Sequence, residues 1–250
     1  MKAITPGGRM KKGTILVAGL VLLLLGCVTT SGQGELNDLL GALSDGKPLS
    51  DGDIIAGLKE ALKVGTGNAV GLTSKVDGYF KNPKIKIPLP ENVRKVEELM
   101  RLAGFGEQVE AFELSMNRAA ERAAPEAQAL FIDTVGKMTF ADARKILKGR
   151  ENEATLYFKE KTYQPLAQRF KPLVHQAMSE VGVTRYYQTL NAKIRNIPMT
   201  ESLNMDIDQY VTQGALDGLF YMLAQEEAKI RKDPAARVTE LLKRVFGSMN

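Results

Sequence analysis

Glu113, Asn117 and Glu121 recur every four residues, with Arg118 beside Asn117, inside the stretch FELSMNRAAERAAPEA (112–127). On a helix that spacing puts all three on one side. Two carboxylates so placed can act as general acid and base. The simpler reading is a polar face or an ion-pair network between helices. Gln213, Asp217, Tyr221 and Gln225 repeat the spacing down GALDGLFYMLA (214–224). Asp217 has three readings. It is a buried carboxylate needing a partner such as Arg118 or Arg185, a ligand contact facing a cavity with Tyr221, or part of a narrow polar stripe at a helix edge. Thr184-Arg185-Tyr186-Tyr187 sets a cation against two aromatics that could stack on a ligand. The default there is the start of an amphipathic helix, with the tyrosine tips turned outward.

Other chemistries are poorly supplied. His175 is the only histidine. It lies with Gln168, Lys171 and Ser179, opposite the apolar stripe of its helix, and reads as a surface residue. No Ser-His-Asp arrangement can be built without it. One Cys with one His makes no ordinary zinc site, and no metal or cofactor is implied. Ser44-Asp45-Gly46-Lys47 fits S-x-x-K but has no S-D-N or K-T-G partner downstream. Gly65, Gly67 and Gly71 follow a helix, not a strand, and form no dinucleotide loop. The reading is therefore a protein without a catalytic constellation.

Charge points to the same conclusion. The net charge is +5, but the first 26 residues carry Lys2, Arg9, Lys11 and Lys12 and no acid. Without them 30 cations face 29 acids, so the body is close to neutral and nucleic acid is not an expected partner.

The elements that must position these side chains are nearly all helical. Ser50 with Asp53 predicts an N-cap, and the helix it starts is loosened or ended by Gly65, Gly67 and Gly71. Lys81 to Pro90 alternates Ile85, Ile87 and Leu89 with Lys84, Lys86 and Pro88, which reads as an edge ribbon or a wrapped arm. Helices are then predicted over Glu91–Ala103, Glu107–Ala124, Pro125–Met138, from Thr139 with Asp142 to Gly149, and over Glu153–Val181 with breaks or kinks near Pro165 and Pro172. Thr184–Asn196 and Asp206–Arg231 follow. Gly214 and Gly218 suggest close helix–helix packing. A last helix is capped by Asp233, starts at Pro234 and carries Val238, Leu241, Leu242 and Val245 as its stripe. The fold class is all-α: one irregular bundle of about eight or nine helices with a Pro-rich extended arm.

The N-terminal segment has its own logic. Lys11 and Lys12 precede the apolar run Ile15–Leu25, too short for an ordinary spanning helix. Leu24-Leu25-Gly26-Cys27 resembles the lipobox of bacterial lipoproteins. The resemblance implies cleavage between Gly26 and Cys27 and a lipid on the Cys27 sulfur, the protein's attachment to the membrane. Val28 stands where an Asp would resemble an inner-membrane retention signal, which favours the outer membrane facing the periplasm. The expected organisation is a signal peptide over 1–26, with Met10 as an alternative start. A lipidated Cys27 and flexible tether occupy 27–48, with a short helix over 36–43. The all-α domain occupies 49–250.

Six stretches together carry a wider resemblance: GLKEALKVGTGNAV (57–70), KIPLPE (86–91), FELSMNRAAERAAPEA (112–127), TRYY (184–187), YVTQGALDGLFYMLAQEE (210–227) and IRKDPAARVTELLKRVFG (230–247). They resemble a family of bacterial lipoproteins catalogued as a domain of unknown function, DUF4197. The resemblance implies an envelope location and a helical fold, and brings no activity, cofactor or catalytic residue. The expected function is a lipid-anchored, non-catalytic binding module that meets an envelope protein or lipid. The alternatives are a carrier of lipid or another apolar ligand in a cavity near Asp217 and Tyr221, and an enzyme using Glu113, Glu121 or Asp217.

Overall fold

The structure, a computed structural model, describes residues 50–247 apart from 96, 181 and 195–205. These belong to one compact unit, Lys47–Asn250, and the buried residues that are described all lie within it, as expected of a unit that folds on its own. Gly26, Cys27, the tether and the short helix expected over 36–43 lie outside the described residues. Among the described residues every regular element is helical, and the fold is the expected all-α bundle.

Helix α1 (Asp51–Ser74) opens on a capping box. The Asp53 N–H donates to the Ser50 hydroxyl at 3.1 Å, and the Ser50 N–H donates to the Asp53 carboxylate at 2.9 Å. Such a cap contributes about 1 kcal/mol. The three glycines expected to loosen or end this helix do not end it, for it runs on to Ser74. Leu58, Ala61, Leu62, Ala69 and Val70 are buried along one side. Burial of that stripe outweighs the roughly 1 kcal/mol that a helical glycine costs.

The arm between α1 and α2 (Glu91–Arg94) buries Ile85, Ile87 and Leu89 and leaves Lys84 and Pro88 exposed, as period two requires. It wraps the bundle and does not join a sheet. Helix α3 (Glu97–Leu102) ends at Gly104, whose φ of +84° is the left-handed turn that favours glycine. Helices α4 (Gly106–Ala123), α5 (Glu126–Lys137) and α6 (Phe140–Lys148) follow, the last behind a second capping box of Thr139 and Asp142.

Helix α7 (Glu153–Glu180) runs through both prolines at which a break or kink was expected. Pro165 and Pro172 are seven residues apart and both exposed. The carbonyls they leave without an amide donor belong to Lys161 and Gln168, also on the solvated side, where water can take over. The opposite side, with Phe158, Leu166, Phe170 and Val174, is fully buried and holds the helix against its neighbours without a break.

Helix α8 (Val183–Ile194) packs on α4 and α7. Helix α9 (Ile207–Lys232) packs against α7, α1 and α4 and forms the centre of the bundle. Asp233 caps only a single 3-10 turn, Pro234–Ala236; the final helix α10 (Glu240–Gly247) begins later than expected. Arg237 is the cause. Its side chain turns inward and is buried, donating to the carbonyls of Ile230 at 3.1 Å and Arg231 at 2.8 Å. Those are orphan acceptors at the end of α9, and satisfying them takes Arg237 out of helical conformation. Val238, placed in the apolar stripe by its spacing, is consequently exposed, while Leu241, Val245 and Phe246 are buried.

Candidate functional site

The row Glu113, Asn117, Glu121 faces the arm, not another helix. Asn117, fully buried, accepts the Ile87 N–H on Oδ1 at 2.8 Å and donates from Nδ2 to the Ile87 carbonyl at 2.9 Å. Glu121, also buried, accepts the N–H groups of Tyr79 at 3.1 Å and Phe80 at 3.2 Å on one oxygen. Its other oxygen takes the Arg118 guanidinium at 2.6 Å, and Arg118 reaches on to Asp77 at 2.6 Å. Glu113 pairs with Lys86 at 2.8 Å. Hydrogen bonds from Lys81 and then Arg118 hold the Asp77 carboxyl below its ordinary value.

The other side of the arm lies against α9. Tyr79 donates its hydroxyl to the Ala215 carbonyl at 2.6 Å, and burial pushes its phenol pKa up. A Cβ on Gly218 would stand 2.6 Å from the Tyr79 ring, and one on Gly214 would stand 3.0 Å from Ile87. The two glycines therefore admit the arm. The close helix–helix packing expected of them is not what they provide. Stretches 86–91, 112–127 and 210–227 thus meet in one arrangement, α4–arm–α9. With both oxygens of Glu121 and both ends of the Asn117 amide occupied by this chain, the arrangement holds backbone in place.

Asp217 is not buried. Its side chain is 63% exposed and meets Lys159 at 3.4 Å, and neither Arg118 nor Arg185 is its partner. Gln213, Asp217, Tyr221 and Gln225 are all exposed and form the polar stripe at a helix edge. Where the carrier alternative put a cavity near Asp217 and Tyr221, the structure has that solvated face. Arg185 is exposed, Tyr187 stacks on Phe112 with ring centroids 5.9 Å apart, and the side chain of Tyr186 lies outside what is described. His175 sits on the surface with Nδ1 2.7 Å from Asp208. The open cleft around that pair is lined by Gln164, Lys171 and Gln209 among others, with no Ser, Thr or Cys among its described lining residues. Among the described residues no three His, Cys, Asp or Glu side chains could jointly hold a metal ion, and no helix is long and apolar enough to cross a membrane.

Two features escaped sequence reasoning. Glu227 is buried in α9 and accepts the N–H groups of Ala154 at 3.0 Å and Thr155 at 2.8 Å, capping α7 from another helix. Arg231 pairs with it at 2.9 Å and also donates to the last-turn carbonyl of Ile146 in α6. The usable signal was register: Leu216, Leu223, Glu227 and Ile230 follow a core-facing spacing, so a carboxylate there must find donors. The second feature is a cavity of about 350 Å³ between α1, α6 and α10. Ile54, Ile55, Phe140, Leu147 and Val245 wall it, with Asp51, Arg144 and Lys148 as its charged members. It forms where three helices far apart in sequence leave a gap, which no local pattern announces.

No curated protein and no solved structure matches the chain. A family profile does, over residues 48–247, the span that builds the bundle and the clamped arm. The chain belongs to that family, described as a protein of unknown function, DUF4197.

Proposed function

We propose that the protein is an envelope lipoprotein, anchored through lipid on Cys27 at the outer membrane facing the periplasm, whose helical unit works by binding and not by catalysis. The observation that carries this reading is the order Lys11-Lys12, apolar run, Leu24-Leu25-Gly26-Cys27, followed by a polar stretch leading to the compact unit that starts at Lys47. Two or three acyl chains at about 0.8 kcal/mol per buried CH₂ make a stable anchor. The use of Asn117, Glu121 and Glu227 in backbone hydrogen bonds supports the non-catalytic part of the reading. The test is metabolic labelling of the full chain with tritiated palmitate in a bacterial host, followed by membrane fractionation. Label and outer-membrane recovery that vanish in Cys27→Ser are expected. An unlabelled chain released free into the periplasm would sink the proposal.

A second reading, a carrier of an apolar ligand, is favoured by one observation: the apolar groove at Ile54, Ile55, Phe140 and Leu147. Its volume falls within the ~300–1,000 Å³ usual for ligand sites. Native mass spectrometry of the Lys47–Asn250 unit should show copurified apolar molecules, and a uniformly ligand-free protein would count against it.

A further inference from the structure

The groove between α1, α6 and α10 joins two kinds of surface. Its walls are aliphatic and aromatic, and Phe140 beside it is 43% exposed despite being a large apolar side chain. Arg144 and Lys148 are four residues apart on α6 and so stand on the same side of that helix. The Arg144 guanidinium lies 4.7 Å from the centre of the Phe140 ring, which joins the cationic part of the groove to its apolar part.

These cations are weakly compensated. Arg144 meets Asp51 at 3.3 Å, with both side chains more than half exposed. Lys148 makes no ion pair with any described residue, and the neighbouring Lys145 reaches Glu153 only at 4.0 Å. Arg144 and Lys148 also line the adjoining open cleft with Lys145 and the single carboxylate Glu153, so their charged ends are accessible to solvent and to a ligand. An apolar trough beside under-compensated cations matches one ligand chemistry: an alkyl chain that ends in an anion. A cationic amphiphile would fill the trough and be repelled at its end. A free phosphate would meet the cations and leave the trough wet.

We propose that this groove binds a single-chain anionic amphiphile. Its chain lies along Ile54, Ile55, Leu147 and Phe140, and its head is held by Arg144 and Lys148. This rests on the apolar-ligand reading and adds to it the charge of the ligand and the residues that read that charge.

The test uses the Lys47–Asn250 unit and isothermal titration with four probes, each kept below its critical micelle concentration. The probes are dodecyl phosphate, dodecyl maltoside, dodecyltrimethylammonium and inorganic phosphate. Dodecyl phosphate should bind saturably at one site, at least tenfold tighter than any of the other three. The double variant Arg144→Gln/Lys148→Gln alters two exposed side chains, and circular dichroism should show it folded. It should bind dodecyl phosphate at least tenfold more weakly and dodecyl maltoside unchanged. Equal affinity for all three amphiphiles, unmoved by the double variant, overturns the anionic assignment and leaves the apolar-ligand reading standing. Binding of none overturns both. A dimer that shields α6 and takes up no probe likewise overturns the proposal in favour of a second copy of the chain.

Discussion

The side-chain amide of Asn117 pairs with the backbone of Ile87 in both directions, accepting its N–H at 2.8 Å and donating to its carbonyl at 2.9 Å. The arm has no neighbouring strand, so a side chain supplies what a ladder would have supplied. A buried backbone group left without its partner costs about 1–3 kcal/mol. Asn117→Leu orphans two such groups and should lower stability by roughly 2–4 kcal/mol in urea unfolding. An unchanged midpoint would show that water replaces Asn117, and that the arm is held otherwise.

Glu121 has the corresponding role at Tyr79 and Phe80. Glu121→Ala removes the acceptor for the buried Tyr79 N–H and the half-buried Phe80 N–H and leaves Arg118 with Asp77 alone, and should cost about 3 kcal/mol. Glu121→Gln keeps an acceptor oxygen for the two amides and gives up the charge and the oxygen that takes Arg118, so its thermal midpoint should fall by clearly less. Equal losses in the two variants would mean that charge, not acceptance of the two amides, is what matters.

The glycines divide by what a methyl group would meet. In Gly218→Ala the new Cβ stands 2.6 Å from the Tyr79 ring and 3.1 Å from Ile85, and overpacking should cost about 1–3 kcal/mol. In Gly67→Ala it meets nothing within 4 Å, and the variant should gain about 0.5–1 kcal/mol from helix propensity alone. Paired denaturation curves check both signs at once.

That contrast also shows what the sequence could reveal. The caps at Ser50–Asp53 and Thr139–Asp142 are local, three residues wide, and were legible. So was the alternation that buries Ile85, Ile87 and Leu89, because period two needs no knowledge of a partner. The partner itself was not legible: nothing near Asn117 points to Ile87, thirty residues away. Gly214 and Gly218 announced a close approach without saying that an arm makes it. Of the readings of Asp217, the buried one followed its apolar chain neighbours, while the four-residue spacing with Gln213 and Tyr221 announced the exposed stripe that the structure shows. The resemblance stretches showed that the segments belong together, and only the packing showed that they clamp backbone.

Acid should weaken the fold in part through identifiable carboxylates. Hydrogen bonds from the Ser50 hydroxyl and N–H hold the Asp53 carboxyl below its ordinary value, and Thr139 does the same for Asp142. A depressed folded pKa means stability that is present above the unfolded value, about 3.9, and lost as the pH falls through the folded one. The urea midpoint should be flat from about pH 7 to 5 and drop below about pH 4. In Thr139→Ala the midpoint at pH 7 should be lower and the fall between pH 5 and 3 smaller. An acid-induced fall as large as in the wild type would assign the sensitivity to other groups.

The clamp on the arm is tested most directly by native-state hydrogen exchange at the amides of Tyr79, Phe80 and Ile87. All three should exchange only by near-global unfolding in the wild type, as slowly as the amides of α7 around Phe170. In Asn117→Leu, Ile87 should exchange far faster while the α7 amides keep most of their protection. Rapid exchange of the three arm amides in the wild type would contradict the account.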